Sequence, residues 1–248
     1  MTQPLHIGIV ACSAEGAALC YRTICAEAPA LLGRHMHPEI SMHTRCLGEY
    51  MQAIERDDWA GVAELMLSSA RKLQSCGADF LLAPDNTIHR AFRQVAAASP
   101  LPWLHIAEEV ASAAREHGFR RLAITGTKYT MDGPVYPEIL AQHGIEYRIP
   151  SPLDRARIDQ IIFDELVNGI FRSDSLGIIS GAISRMKAEG CDAVVLGCTE
   201  LPLLIGNESS PLPVLDSTRL LARAALRRAT AGCALPQAKS STPSPSRT

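Results

Sequence analysis

The sequence predicts an α/β protein made of two similar, doubly wound domains with mostly parallel sheets, related by a pseudo-two-fold. Two observations carry that prediction. Short apolar runs alternate with helical stretches along the 248 residues, the pattern of strand–helix–strand units feeding parallel sheets. One stretch also occurs twice. Gly77-Ala78-Asp79-Phe80-Leu81-Leu82-Ala83-Pro84-Asp85-Asn86-Thr87 and Gly190-Cys191-Asp192-Ala193-Val194-Val195-Leu196-Gly197-Cys198-Thr199-Glu200 both read Gly-x-Asp, an apolar run, then a polar cluster. The step from the glycine to Asp85 equals the step to Cys198. Ligands of such folds bind beyond the carboxyl ends of the strands. Two equivalent strand ends facing one cleft would therefore set Asp85 and Cys198 on opposite sides of a substrate.

The elements follow in order. Leu5 to Ala11 reads as a first strand, and Cys12-Ser13-Ala14-Glu15-Gly16 as a small-residue loop into a helix from about Ala17 to Ala28. Ile40 to Thr44 is a second strand. Trp59, Val62, Leu65, Met66 and Leu73 recur at helical spacing, and Gly77 stops that helix. A strand from Phe80 to Ala83 and a helix from Ala91 to Ala98 come next, ended by Pro100 and Pro102. The second half restarts with the strand and turn Arg121 to Thr127. Pro134 and Pro137 mark a helix start, Ile158 to Phe171 is amphipathic, and a helix before Gly190 mirrors the one before Gly77. Pro211 and Pro213 precede a last short strand, Val214-Leu215, and Thr218 to Ala229 is helical. The expected domains are 1–103 plus 214–234, and 104–213. Residues 235–248, rich in Ser and Pro, read as a disordered tail.

Composition narrows the function classes. A formal net charge of −2 gives no general attraction to nucleic acid or anionic membranes, and 5% aromatic residues argue against base-stacking platforms. No apolar run is long enough for a membrane span, and a strand starting almost at the N-terminus leaves no room for a signal peptide. A cytoplasmic protein is expected. The eight cysteines form no CxxC pair or zinc-like doublet. Seven of them read as small buried hydrophobes, the exception being Cys198. His35, His37 and His43 read as a loop and strand, so no metal is predicted. No phosphate loop, Schiff-base lysine or dinucleotide fingerprint is visible.

At Asp85-Asn86-Thr87-Ile88-His89 and Gly197-Cys198-Thr199-Glu200-Leu201-Pro202 the chain resembles the aspartate/glutamate/hydantoin racemase superfamily. The likeness spans nearly the whole chain. Ala123-Ile124-Thr125-Gly126-Thr127-Lys128-Tyr129-Thr130-Met131 and Asp159-Gln160-Ile161-Ile162-Phe163-Asp164-Glu165-Leu166 resemble the amino-acid racemases acting on aspartate and glutamate. The resemblance implies an active site between two α/β domains, no pyridoxal phosphate, frequent homodimers and two opposed catalytic residues, typically both cysteines. Here Asp85 stands where the first cysteine is usual, and Ala11-Cys12-Ser13 replaces the usual Gly-Gly-Met.

Asp85 and Cys198 are thus the candidate catalytic pair. At reference values the state ready for catalysis is a carboxylate facing a thiol, and the reverse state lies about 4.6 pH units, or about 6 kcal/mol, away. A racemase passes through both states, so the site must narrow that gap by burying the carboxylate or lowering the thiol. Asp85 could instead hold a substrate ammonium, orient a water, or cap the helix beginning at Thr87. Ser13, Asn86, Thr87, Thr127 and Thr199 are candidate substrate-binding residues, since strand ends leading into helices can hold a carboxylate. Lys128 and Arg45 are not counted among them, and His89 could tune Asp85 or sit at the surface. The expected activity is a cofactor-independent racemase or epimerase of an acidic amino acid. The alternatives are a one-cysteine isomerase or decarboxylase of a small dicarboxylate, and a non-catalytic protein that binds an anionic metabolite.

Overall fold

The repeated Gly-x-Asp turns out to be a clamp between neighbouring strands. In the computed structural model, which describes residues 3–233, Gly77 and Gly190 take positive φ values of 88° and 90° to end their helices. The aspartate that follows then ties its strand to the next one. Asp79 accepts the His6 backbone N–H at 2.7 Å, and Asp192 accepts that of Arg120 at 2.7 Å.

The first half runs β1 (Ile7–Ala11), α1 (Ala14–Glu27), α2 (Pro29–Leu32), β2 (Ile40–Thr44), α3 (Leu47–Glu55), α4 (Trp59–Ser75) and β3 (Phe80–Leu82). A 3-10 turn over Thr87–Ala91 leads into α5 (Phe92–Ala98) and then α6 (Ile106–Glu116). The second half runs β4 (Arg121–Gly126), α7 (Lys128–Met131), α8 (Val135–Gln142), β5 (Glu146–Arg148) and α9 (Pro152–Asp164). After a 3-10 turn at Leu166–Asn168 come α10 (Ser173–Ala188), β6 (Ala193–Gly197), α11 (Leu201–Leu204), β7 (Val214–Asp216) and α12 (Ser217–Thr230).

Both sheets are parallel, in the orders β2-β1-β3 and β5-β4-β6-β7. A bridge from Leu81 to Trp103 sits beside β3 as β7 sits beside β6, so the two halves match strand for strand. Helices cover both faces of each sheet. On the first, Met66, Ala70 and Leu73 of α4 pack with Val10 and Leu81, while Ile7, Ile9, Phe80 and Leu82 face α1 and α12. On the second, α9 and α10 cover one face and α6 and α8 the other.

Several sequence expectations need correction. The segment 214–234 was expected with the first domain. Its strand pairs with β6 in the second sheet, because β6 has a free edge there. Its helix does pack on the first sheet, through Leu221, Ala222, Ala225, Leu226 and Ala229. The Ile158–Phe171 stretch is not one helix, since α9 starts at Pro152, capped by a Ser151 hydroxyl that accepts the Asp154 N–H, and ends at Asp164. The helix expected from Ala17 starts at Ala14, capped by Ser13. Residues 235–248 lie outside the described residues. No described helix is long and apolar enough to cross a membrane.

Candidate active site

The register that joins β1 to β3 also builds one side of the site. Ile9 pairs with Leu82, and the same register carried three residues further sets Cys12 beside Asp85. In the second sheet Gly126 pairs with Gly197, so the next residues, Thr127 and Cys198, are neighbours. These four side chains line a single cavity together with Ser13, Asn86, Thr87 and Thr199. The two candidate catalytic residues and the five candidate substrate-binding residues therefore all line one cavity. The cavity measures about 80 Å³, room for roughly three waters, so it takes a small ligand.

On the second-half side, the Cys198 thiol donates to Glu200 Oε2 at 2.9 Å, and Thr199 Oγ1 donates to the same oxygen at 2.7 Å. Cys198, Thr199 and Glu200 are all buried. Burial foremost, and then the Glu200 carboxylate, push the Cys198 thiol well above its ordinary value. The sequence allowed for a thiol lowered by a helix N-terminus, and the structure does the opposite. The α11 helix that follows has four residues; the Glu200 N–H at its start pulls the thiol down, but burial and the Glu200 carboxylate outweigh it.

On the first-half side, Asp85 keeps some exposure into the cavity, yet protein surrounds its carboxyl group. Burial raises it above the usual carboxylate range, while hydrogen bonds from the Ile88 N–H and the Cys12 thiol pull the other way. The capping role weighed for Asp85 is present, since Oδ1 accepts from Ile88 N at 3.2 Å. One carboxylate oxygen suffices for that bond, so cap and site residue coexist. Burial foremost, and then the neighbouring Asp85 carboxylate, raise the Cys12 thiol well above its ordinary value. Each half thus presents a thiol next to a carboxylate.

The remaining candidates divide by what their polar atoms already hold. Thr127 Oγ1 is buried with no hydrogen-bond partner among the described residues, an orphan donor at the cavity wall. Ser13 Oγ accepts from Gly16 N at 3.2 Å and lies 3.4 Å from Thr199 Oγ1, linking the two strand-end loops across the cleft. Asn86 is buried and heavily engaged. Its Nδ2 donates to Ser217 Oγ at 3.0 Å, and its Oδ1 accepts from Tyr136 Oη at 2.6 Å. It ties the first half to α8 and α12. His89 is buried rather than at the surface. Its Nδ1 bonds the Asp85 carbonyl at 2.7 Å and its Nε2 accepts from Ile106 N at 3.2 Å, so it holds the Asp85 backbone and does not meet the carboxylate. Lys128 and Arg45 do not line the cavity.

Two site residues were missed from the sequence. Glu200 stood in the Gly-Cys-Thr-Glu element without an assigned role. Cys12 was grouped with the buried hydrophobes, and only strand pairing puts it beside Asp85. Cys46 and Cys76 are corrections of the same reading, because both are exposed; each lies at a helix end outside the packed core.

Residues 7–225 match the family model of the Asp/Glu/hydantoin racemases. The chain belongs to that family. It is 31% identical to a provisionally assigned Asp/Glu racemase of known structure from Yersinia pestis, with a TM-score of 0.85 over 91% of this chain and 99% of that one. It is 27% identical to an aspartate racemase homologue from Pyrococcus horikoshii OT3, with a TM-score of 0.80 over 93% and 100% of the two chains. It is also 25% identical to the broad specificity amino-acid racemase RacX of Bacillus subtilis (strain 168), over 64% of this chain and 68% of that protein.

Proposed function

We propose that this protein is a cofactor-independent amino-acid racemase that moves the α-proton between an Asp85 side and a Cys198 side of one cleft. The observation that carries the proposal is the meeting of Asp85 and Cys198, from equivalent strand ends of the two halves, at one small cavity. Membership of a racemase family gives the reaction class.

The chemistry follows from the groups present. A base on one face takes the Cα proton, the electron pair moves into the substrate carboxylate, and an acid on the other face returns a proton with inverted configuration. The developing negative charge on the substrate carboxylate needs preorganised donors. The unpartnered Thr127 hydroxyl is one. The hydroxyls of Ser13 and Thr87 line the same space, while that of Thr199 is already donated to Glu200. Burial raises Asp85, but it raises the Cys198 thiol as well, so the two must be matched by their neighbours and not by burial alone. Cys198 needs a proton acceptor to become a base, and Glu200 at 2.9 Å is in place for that.

A homodimer in the cytoplasm is the proposed form, and light scattering after size exclusion checks the assembly. The activity test is loss of optical activity from single amino-acid enantiomers by purified enzyme without added cofactor. Wild type converts at least one amino acid, while Asp85→Asn and Cys198→Ser lose about a thousandfold or more. Inert wild-type enzyme across the proteinogenic amino acids would refute the proposal.

A further inference from the structure

The cavity has a polar floor and an apolar mouth. As a refinement of the racemase proposal, on which it rests, we infer that the substrate carries an uncharged apolar side chain and not the second carboxylate expected from the sequence. Leu47, Met51 and Ile54 of α3 form one wall, from the first half. Ile162 and Phe163 of α9, with Val167 just beyond, form the other, from the second half. Leu47, Phe163 and Val167 are 40%, 37% and 46% exposed, so three large apolar side chains stand in solvent around one opening. A hydrocarbon side chain laid between these walls would bury them and itself.

Charge points the same way. No lysine or arginine lines the cavity among the described residues, while Asp85 and Glu200 both do. The two nearby cations are otherwise placed. Arg45 pairs with Glu49 at 2.5 Å, and the Lys128 ammonium sits 5.0 Å from the Tyr129 ring centre. An acidic side chain would lose water and gain two like charges with no cation in return.

The test is α-proton exchange in heavy water, followed by proton NMR, for leucine, methionine, phenylalanine, alanine, aspartate and glutamate. Leucine or methionine should exceed aspartate and glutamate in kcat/KM by at least about a hundredfold. Phe163→Ala, at an exposed site, should cut the leucine-over-alanine preference about tenfold, mainly through KM. Aspartate or glutamate exchanging as fast as leucine would overturn the inference and leave the racemase proposal standing, as would a preference untouched by Phe163→Ala. No exchange of any amino acid would defeat both.

A separate observation concerns Cys12. The geometry points to Cys12 as the sulfur that meets Cα on the first-half face, with Asp85 as the carboxylate that takes and returns its proton. Cys12 lines the cavity, follows β1 directly, and lies beside Asp85 by strand register. The pairing reproduces Cys198 with Glu200 on the other side. With a thiol and carboxylate on each face, the two protonation states become chemically alike, and the mismatch between a lone carboxylate and a thiol disappears. The step balances. The Cys12 S–H proton passes to Asp85, the thiolate takes the Cα proton, and the C–H electron pair enters the substrate carboxylate. Cys198 then delivers its S–H proton to the opposite face and is left as thiolate. A solvent proton, relayed by Glu200, restores the Cys198 thiol, and Asp85 releases its proton to solvent.

Cys12→Ala should lower racemisation about a thousandfold while keeping α-proton exchange from one enantiomer alone. Cys198→Ala should keep exchange from the other. A structural role for Cys12 would depress both enantiomers equally, and that result overturns the assignment. So does a Cys12→Ala enzyme racemising within about tenfold of wild type. An active Cys12→Ala enzyme beside an inactive Asp85→Asn enzyme would leave the racemase proposal intact, with Asp85 itself as the base.

Discussion

Asn86 lines the cavity where it was expected to hold substrate, and its bonds also make it a tie between the halves, a role that can be measured. Asn86→Ala removes the acceptor of the Tyr136 hydroxyl at 2.6 Å and the donor to Ser217 at 3.0 Å. Tyr136 is fully buried, so its hydroxyl would be stranded at a cost of about 1–3 kcal/mol. Loss of the second neutral bond adds about 0.5–1.5 kcal/mol. Ser217 keeps its own donation to Leu196 O at 2.9 Å and adds little. The expected destabilisation is about 2–4 kcal/mol, or a melting point lower by roughly 5–15 °C for a chain of this size. Tyr136→Phe removes the stranded hydroxyl in advance, so the double variant should lie well below the sum of the two singles in a urea-denaturation cycle. Tyr136 does not line the cavity. Tyr136→Phe should therefore leave KM nearly unchanged, with any loss falling on kcat through the Asn86 side chain it no longer holds. Additive stability effects, or an Asn86→Ala enzyme of full stability with a KM raised about a hundredfold, would leave Asn86 to substrate binding alone and refute the tie.

Other perturbations separate structure from chemistry. Glu200→Gln keeps an acceptor for Thr199 but removes the negative charge that, after burial, raises the Cys198 thiol. Peptide-resolved iodoacetamide alkylation of Cys198 at neutral pH should speed up, and an unchanged rate would contradict the pairing. Asp85 is raised by burial, so its contribution to stability is fully present below the ordinary Asp value and is lost as pH rises through the higher folded value. Asp85→Asn should accordingly melt higher than wild type at neutral pH while losing activity, with the gain vanishing in acid. A lower melting point at neutral pH would show that the carboxylate is stabilised, not penalised. Gly16→Ala would place a Cβ 2.4 Å from Pro84 O and 2.6 Å from Thr199 Cγ2. Circular-dichroism melting should show destabilisation, with activity down at least about tenfold; an active and stable variant would mean that the loops have room to part.

The fold was legible because its signals are local. The buried strands β1, β3, β4 and β6 are continuous apolar runs, and Gly77 and Gly190 stop their helices visibly. The edge strand β5, Glu146–Arg148, escaped notice because its residues are polar and only half covered. The helix α6 was overlooked although Ile106, Ala107, Val110, Ala111 and Ala114 recur at helical spacing against a charged face. The strand of 214–216 was misplaced because sheet membership depends on which edge is free, a property of the assembled fold. In the site, Asp85 and Cys198 stood out through the repeat. Cys12 could not, since its meaning comes from the pairing of β1 with β3. Asn86 lines the cavity as expected, but its tie to Tyr136 and Ser217 could not be read, because composition does not say which partners a strand-end side chain meets.

The most direct check on two opposed proton-transfer groups is the isotope pattern at early time, starting from one protonated enantiomer of a turned-over amino acid in heavy water. The account predicts product carrying one deuterium at Cα while the remaining substrate stays protonated, because removal and return use different groups. Product that keeps the original proton, or substrate that gains deuterium as fast as product forms, would mean that one group serves both faces.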